Sequence, residues 1–213
     1  MRTDSLRVAE LLVTLQGEGT AAGCPVFLVR LSGCNLACSW CDTPGARAPE
    51  SGTLFTLTEI LERWRTSGLR EVLLTGGEPL LQAGVYPLME ALLSEGARIY
   101  LETNGSISLS RVPREVVKIM DLKTPSSGMS RANLYANLRY LDRKDQIKFV
   151  IADEEDYLWA REKVHELGLT YFTQVLFSPV WGKMPPPELA RLILRDRLPV
   201  RFQIQLHKLL GLP

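Results

Sequence analysis

Three cysteines stand close together in residues 33–43, and their spacing makes this segment the part of the chain best suited to chemistry. Cys34, Cys38 and Cys41 follow the pattern C-x3-C-x2-C, with Trp40 directly before the third cysteine. Thiolates are soft ligands, which favours zinc or an iron–sulfur cluster. In a [4Fe–4S] cluster, three cysteines would leave one iron open to an exogenous ligand. A structural zinc site would need a fourth protein ligand, and unrelated buried thiols are the remaining interpretation.

Three residues elsewhere in the chain are candidates for such a fourth ligand. Cys24 precedes Pro25 at the start of a predicted strand, and we interpret it as a small buried hydrophobic residue. His165 lies between apolar positions of a predicted helix, which indicates a structural or exposed side chain. His207 follows the last predicted strand. A missing fourth ligand is a defect for zinc but a requirement for chemistry at an open iron, which favours the open cluster over zinc.

A second motif, Gly76-Gly77-Glu78-Pro79, follows a predicted strand. Glycines let the backbone approach a ligand closely, because no Cβ intervenes. The Glu78 carboxylate can accept hydrogen bonds from an ammonium group, and Pro79 fixes φ as the next helix begins. Taken alone, the motif also fits an ordinary turn between a strand and a helix. Its position one unit after the cysteines favours a ligand site.

These motifs need a scaffold, and the hydrophobic pattern predicts one built of alternating strands and helices. Strands are predicted at 26–31, 71–75, 98–103, 116–121, 146–151, 172–177 and 201–206. Helices are predicted at 59–67 with Thr58 as N-cap, from Val85 until Gly96, at 156–167, and at 188–195 after Pro187, with a weaker candidate at 133–141. Residues 43–58 show no strong helix, and 51–57 show no useful pattern.

About six such units, with glycines and polar residues at the strand ends, indicate an α/β fold. We predict a partial, open TIM-type barrel of about six mainly parallel strands with a reduced set of outer helices. In such barrels, residues just after each strand face the active site. We expect residues 1–213 to form a single domain, with a substrate-binding segment at the N-terminus and a segment that closes the active site at the C-terminus.

Composition limits the possible partners. Of the 213 residues, 46% are apolar, enough for a sizeable core, and the net charge of +1 gives no general reason to expect nucleic acid or a membrane surface as partner. The first ten residues include Asp4 and Glu10 and do not read as a signal peptide. No segment approaches the roughly 20 apolar residues of a membrane span. We therefore expect a cytoplasmic protein, in which clustered cysteines are metal ligands or redox groups.

The cysteine segment with Trp40, followed by G-G-E-P one unit later, resembles the radical S-adenosylmethionine superfamily. The resemblance implies a [4Fe–4S] cluster whose open iron binds the amino and carboxylate groups of S-adenosylmethionine. Reduction of that cluster would yield a 5′-deoxyadenosyl radical. The protein would then supply position and shielding for chemistry that belongs to its cofactors.

Further blocks narrow the resemblance. They are T-L-Q-G-E-G from Thr14, G-x-P-x-F-x-x-R-L-x-G-C from Gly23, C-D-T from Cys41, E-T-N-G from Glu102, K-F-V from Lys148 and Q-L-H-K from Gln205. Together they resemble the 7-carboxy-7-deazaguanine synthase family of the queuosine and 7-deazapurine pathway. The resemblance implies conversion of 6-carboxy-5,6,7,8-tetrahydropterin to 7-carboxy-7-deazaguanine with loss of ammonia. It also implies Mg²⁺, a one-electron reductant of flavodoxin or ferredoxin type, and a homodimer.

The resemblance also implies roles for individual residues, with no catalytic residue beyond cluster and cofactor. The positions expected to contact S-adenosylmethionine are Trp40, Asp42, Gly76, Gly77, Glu78, Glu102, Lys123, Ser126 and Gln174. The positions expected to contact substrate are Leu15, Gln16, Gly17, Glu18, Arg30, Thr75, His207 and the C-terminal Pro213. Thr43 is expected to bind Mg²⁺, which prefers oxygen ligands.

Simpler interpretations of these residues remain open. Arg30 can be a surface arginine, although it lies inside V-F-L-V-R-L, where an unpaired charge would be costly. As a ligand, its guanidinium suits a carboxylate in bidentate geometry. The Q-G-E-G segment can be a glycine-rich turn, and Thr43, beside Pro44, can be a helix cap.

Two other functions also fit parts of the sequence. Another radical S-adenosylmethionine enzyme, such as a glycyl-radical activase, would share the cysteines and G-G-E-P without requiring Q-G-E-G, Arg30 or Q-L-H-K. A non-enzymatic zinc protein or electron carrier would need only the cysteines.

Overall fold

Nine strands form one sheet in the computed structural model, which describes residues 4–212. They are β1 Ser5–Leu15, β2 Pro25–Leu31, β3 Thr53–Thr56, β4 Glu71–Gly76, β5 Arg98–Thr103, β6 Val117–Asp121, β7 Gln146–Ile151, β8 Gln174–Pro179 and β9 Arg201–Phe202. Their spatial order is β3-β1-β2-β4-β5-β6-β7-β8-β9. From β2 onward every neighbouring pair is parallel, whereas β1 is antiparallel to both β2 and β3. The sheet ends at β3 and β9 without closing, so the prediction of an open, partial TIM-type barrel is confirmed.

Five helices accompany the sheet: α1 Leu57–Ser67, α2 Val85–Ser94, α3 Glu154–Glu166, α4 Pro186–Asp196 and α5 Leu206–Leu210. The N-cap of α1 is Thr56 rather than the predicted Thr58. The Thr56 hydroxyl accepts a hydrogen bond from Glu59 N at 3.2 Å, and the Glu59 carboxylate accepts one from Thr56 N at 2.7 Å. This reciprocal capping box satisfies two backbone donors and so fixes the start of α1.

Several boundaries differ from the sequence-based prediction. Strands β1 and β3 were not predicted; β1 is a long antiparallel partner of β2, and β3 is a short edge strand beside β1. The run predicted at 201–206 is extended only at β9, after which the chain turns into α5. The weak helix at 133–141 is replaced by 3₁₀ turns at Ser130–Ala132 and Tyr135–Tyr140.

The two faces of the parallel strands have different neighbours. Outward-facing residues such as Val29, Leu74 and Phe149 are fully buried in the main core that the helices cover. Inward-facing residues Leu28 and Leu73 belong to a smaller apolar cluster with Ile119, Tyr100 and Val26. Because side chains alternate along a strand, polar residues two positions further along the same strands also face inward. The inside of the open barrel is therefore apolar around Leu28 and Leu73 and polar or charged two residues further along the strands.

None of the helices within residues 4–212 combines the length and the apolar character needed to cross a membrane.

Candidate functional site

A cavity of about 590 Å³ opens inside the barrel, within the usual size range for small-molecule sites. It is lined by residues from the cysteine segment, from the ends of β2 and β4–β7, from the β1–β2 hairpin and from the C-terminal segment. Among the predicted site residues, those that line it are Leu15, Gly17, Glu18, Arg30, Cys34, Cys38, Trp40, Cys41, Asp42, Thr43, Thr75, Gly76, Gly77, Glu102, Lys123 and His207. Gln16, Glu78, Ser126 and Gln174 are not among its lining residues. Pro213 lies outside the described residues.

The three thiols Cys34, Cys38 and Cys41 are half-buried and face this cavity. They do not all lie within 4.8 Å of one another. Thiolates around a single tetrahedral zinc would be about 3.8 Å apart, given a Zn–S distance of about 2.3 Å. Cys34 Sγ accepts hydrogen bonds from Leu36 N at 3.4 Å and from Asn104 Nδ2 at 3.8 Å, as cluster-ligating thiolates do. The donor set therefore fits an iron–sulfur cluster better than a zinc ion.

Burial raises the pKa of the Cys38 thiol, and the nearby Lys123 ammonium partly offsets this effect. A positive charge beside the ligand thiols favours their thiolate form. The fourth cysteine, Cys24, is exposed at the end of the β1–β2 hairpin, so its interpretation as a buried hydrophobic residue was wrong.

Gly76 and Gly77 line the cavity, but the neighbouring backbone explains why both must be glycine. A Cβ on Gly76 would lie 2.1 Å from Leu31 O, and Gly76 has φ +149°. A Cβ on Gly77 would lie 2.3 Å from Gly33 O. The motif packs directly on the end of β2 and on the start of the cysteine segment. Its glycines thus permit an approach between two backbone segments at the cavity wall.

Glu78 is not among the residues that line the cavity, and its contact with an ammonium group of S-adenosylmethionine stays a prediction. Its fully buried carboxylate accepts hydrogen bonds from Leu80 N at 3.1 Å, Thr103 Oγ1 at 2.9 and 3.0 Å, and Asn104 N at 2.7 Å. Burial raises the pKa of Glu78 and outweighs these hydrogen bonds. The side chain joins the turn after β4 to the end of β5, which fixes one wall of the cavity.

Trp40 and Lys123 do lie together at the cavity wall. Lys123 Nζ is 2.9 Å from Asp121 Oδ2 and 5.5 Å from the centroid of the Trp40 ring. Burial alone would lower the pKa of Lys123, but attraction to the Asp121 carboxylate and to Cys38 raises it. Ser126, in contrast, lies behind Trp40: its hydroxyl accepts from Trp40 Nε1 at 3.0 Å and donates to Asp156. Both hydrogen bonds engage protein groups, so Ser126 helps to hold Trp40, and its contact with S-adenosylmethionine stays a prediction.

Gln174 is the first residue of β8 and is exposed. In a parallel barrel the functional face lies at the other end of the strand, where β8 reaches Ser178 and Pro179. The prediction that Gln174 contacts S-adenosylmethionine was therefore wrong.

Glu102 lies with the residues predicted for substrate. Its carboxylate accepts from Thr75 Oγ1 at 2.9 Å and from Gln16 Nε2 at 3.3 Å. Burial raises the pKa of Glu102, and Lys148 opposes this effect. Gln16 is fully buried, its Nε2 donates to Glu102, and its Oε1 has no hydrogen-bond partner among the described residues, so its contact with the substrate stays a prediction. Glu102, which the sequence assigned to S-adenosylmethionine, thus contacts Gln16 and Thr75, two residues predicted for substrate.

Arg30 lines the cavity and pairs with Glu10 on the neighbouring strand, with 2.6 Å between Nε and Oε2. Among residues 4–212, its hydrogen bonds use only Nε. The two Nη groups are therefore available to a carboxylate in the bidentate geometry expected from the sequence.

The β1–β2 hairpin lies at one side of the cavity, where Glu18, Glu102 and Lys148 form what we call the charged floor. Glu18 pairs with Lys148 Nζ and accepts from Gln205 Nε2 at 2.7 Å. Burial would lower the pKa of Lys148, but Glu18, Asp121 and Glu102 together raise it. A Cβ on Gly17 would lie 2.2 Å from His207 Nδ1, so the glycine leaves room for the imidazole in its present position.

Lys148 was missed as a site residue. It lies in the fully buried strand Q-I-K-F-V-I, where an unpaired charge is costly, which is the signal that identified Arg30. Asp121 was missed in the same way at the end of the buried strand β6. It is 8% exposed, and its Oδ1 has no hydrogen-bond partner among the described residues.

Asp42, which the sequence assigned to S-adenosylmethionine, lies near Glu18 and His207, two residues predicted for substrate. Its Oδ1 accepts from Thr43 Oγ1 at 3.1 Å and its Oδ2 accepts from Gln205 Nε2 at 2.9 Å. Asp42, Glu18 and His207 each place one ligand-type atom within 4.8 Å of the others. Burial opposes ionisation of Asp42, but Lys148 and Lys208 outweigh it and lower its pKa. Burial lowers the pKa of His207, which favours a neutral imidazole.

Thr43 precedes a 3₁₀ turn at Pro44–Ala46 without capping it through its side chain. Its hydroxyl donates to Asp42 at 3.1 Å and faces the cavity. A ligand role for this oxygen is compatible with that geometry, whereas the helix-cap alternative is wrong.

Comparisons with known proteins agree with this geometry. Residues 28–192 match the Radical SAM superfamily. The chain is 41% identical to a 7-carboxy-7-deazaguanine synthase of Chlorobaculum tepidum, covering 98% of this chain and 95% of the relative. It is 38% identical to one of Koribacter versatilis, covering 98% of both. The crystal structure of QueE from Escherichia coli has a similar fold, with TM-score 0.78, 21% identity and 94% coverage of both chains.

Proposed function

The chain belongs to the radical SAM superfamily and, within it, to the 7-carboxy-7-deazaguanine synthase family, and we propose that it converts 6-carboxy-5,6,7,8-tetrahydropterin to 7-carboxy-7-deazaguanine with release of ammonia. The observation that carries the proposal is a single cavity. This cavity is lined by the three thiols at one wall, by the charged floor, and by Arg30, whose two Nη groups are available to a ligand. A glycyl-radical activase or an electron carrier would not require that floor.

The Cys34, Cys38 and Cys41 thiolates would hold the [4Fe–4S] cluster, and the wall formed by Gly76, Gly77 and Trp40 would hold S-adenosylmethionine. When bound, these groups supply a radical that abstracts hydrogen from the substrate. The protein's own task is to fix the substrate at that wall and to keep water away from it.

The charged floor suits the pterin. Arg30 offers two Nη groups to the substrate carboxylate. The Glu18 and Glu102 carboxylates can accept hydrogen bonds from the amino and ring N–H groups of a guanine-like edge. Lys148 pairs with Glu18, and its positive charge opposes the rise in the pKa of Glu102 that burial causes. Leu15 and Thr75 complete this side of the cavity.

We place Mg²⁺ at Thr43, with Asp42 oriented beside it by Gln205. Mg²⁺ keeps water and substrate oxygens in its shell, so one hydroxyl and the substrate carboxylate are a sufficient protein-side site. Thr43→Ala is expected to change the Mg²⁺ dependence of turnover. An unchanged dependence would exclude Thr43 as a ligand.

The remaining parts of the proposal concern organisation. We propose that residues 1–213 form one domain that acts in the cytoplasm as a homodimer, with electrons supplied by a flavodoxin- or ferredoxin-type reductant. The C-terminal segment, with His207 and Lys208 at the cavity, would close the site over the substrate. Pro213 is proposed to contact the substrate as well.

The test is a product assay. Anaerobically purified, reconstituted and reduced protein is incubated with the carboxy-tetrahydropterin, S-adenosylmethionine and Mg²⁺, and 7-carboxy-7-deazaguanine is measured by mass spectrometry. Intact cleavage of S-adenosylmethionine without this product would refute the assigned substrate. One colourless zinc per chain would refute the radical chemistry altogether.

A further inference from the structure

A buried carboxylate lies behind the cysteine segment, outside the cavity lining. Asp156, in the first turn of α3, is 0% exposed. Its oxygens accept hydrogen bonds from Ala152 N, Thr124 Oγ1 and Ser126 N, each at 3.0 Å, and from Ser126 Oγ at 2.5 Å. Asp156 therefore ties the end of β7 to the turn that follows β6.

Ser126 extends this network to the cysteine segment. Its single O–H is donated to Asp156, which leaves a lone pair to accept Trp40 Nε1 at 3.0 Å. Two more bonds fasten the preceding residue: Ser39 Oγ donates to Ser126 O at 2.7 Å, and Ser39 N donates to Ser127 O at 3.1 Å. Residues 39 and 40 are thus attached to the 126–127 turn at three points.

Residues 39 and 40 are the whole of the chain between Cys38 and Cys41. The Trp40 ring also lines the cavity and packs on Val150 and Val180. The orientation of the indole and the separation of two ligand thiols therefore depend on the same three attachments.

We propose that Asp156 is a positioning residue that fixes Trp40, and with it the segment between Cys38 and Cys41, through the Ser126 hydroxyl. Capping of α3 does not account for the burial and hydrogen bonds of the Asp156 carboxylate. That role belongs to Asp153, whose Oδ1 accepts from Asp156 N at 2.9 Å. This inference rests on the proposed function only where KM for S-adenosylmethionine is measured.

The first test uses the full-length chain without its cluster. The indole ¹⁵N–¹H resonance of Trp40 is assigned with Trp40→Phe and followed in four variants. Ser126→Ala and Asp156→Asn are expected to shift this resonance, and Ser126→Thr, which keeps the hydroxyl, is expected to restore it. Asp153→Ala is the matched control: it removes the cap of the same helix end and is expected to lower Tm without moving the Trp40 signal.

The second test uses the reconstituted enzyme. Ser126→Ala and Asp156→Asn are each expected to raise KM for S-adenosylmethionine about fivefold, the equivalent of one neutral hydrogen bond, with kcat nearly unchanged. The double variant should add little, because both changes break one chain of hydrogen bonds.

An unshifted indole in Ser126→Ala would overturn the proposal, and so would fully additive effects in the double variant. If Asp156→Asn does not fold, the Ser126→Ala and Ser126→Thr pair decides the outcome alone. Because the indole signal is read without cofactor or substrate, failure here is distinguishable from failure of the product assay.

Discussion

The contact between the G-G-E-P motif and the cysteine segment predicts a severe effect of one methyl group. In Gly77→Ala the added Cβ would lie 2.3 Å from Gly33 O, 2.7 Å from Gly33 C and 2.8 Å from Cys34 Cβ. Two of these atoms are backbone, so no side-chain rotation can relieve the contact. The two segments must separate by roughly 1 Å to reach ordinary van der Waals distances.

The cost follows from two terms. Overpacking typically costs about 1–3 kcal/mol, and the hydrogen bond from Glu78 N to Gly33 O, 2.8 Å in this structure, contributes about 1 kcal/mol more. For a chain of this size a loss of about 2–4 kcal/mol lowers Tm by roughly 5–12 °C. Because Cys34 moves with Gly33, iron content after reconstitution should fall too.

Gly45→Ala is the control, in the loop between β2 and β3 that also carries Cys34. A Cβ there has nothing within 4 Å, and Gly45 is not among the glycines with positive φ. Its Tm should be unchanged or raised by a few degrees at most, because the substitution restricts only the unfolded chain. Thermal unfolding by circular dichroism and iron per chain are measured for both variants. Equal Tm and equal iron in the two would refute the claim that backbone packing demands glycine at 77.

Three further predictions concern the charged residues. Lys148→Met leaves the Glu18 carboxylate buried without its partner, so urea unfolding should show a loss of about 3–5 kcal/mol, and adding Glu18→Gln should recover part of it. Arg30→Ala should leave S-adenosylmethionine cleavage measurable while disabling turnover of the carboxy-tetrahydropterin; normal turnover would remove Arg30 from the carboxylate site. The raised pKa of Glu78 means that the folded state binds the Glu78 proton more tightly than the unfolded chain does. Glu78 therefore contributes its full stabilisation below the usual pKa of 4.5, and this stabilisation is lost as pH rises through the raised pKa. The Tm of Glu78→Gln relative to the unmodified chain should therefore rise with pH above 4.5, and a constant difference would contradict that sign.

Local sequence was sufficient wherever a signal is short-range. The cysteine spacing, the glycines after β4 and the helices that became α1–α4 could all be read from the chain, because each depends on neighbours within a few positions. Arg30 could be recognised since a charge in a buried strand must have a partner. The same rule applied to Lys148 and Asp121 would have added both to the predicted site.

The tertiary structure decided which way each polar side chain points and what it meets. Glu78 reads as a ligand in its motif, yet it turns to the end of β5 because Thr103 and Asn104 supply the donors there. Gln16 meets Glu102 across 86 positions of chain, and Glu18 meets Lys148 across 130. Such pairings depend on strand order and register, which nothing in the local pattern specifies. The sequence by itself therefore determined the cysteine cluster and the family of folds. Only the packing of distant strands determined the charged floor, because that floor forms when the hairpin after β1 lies against the middle of β7.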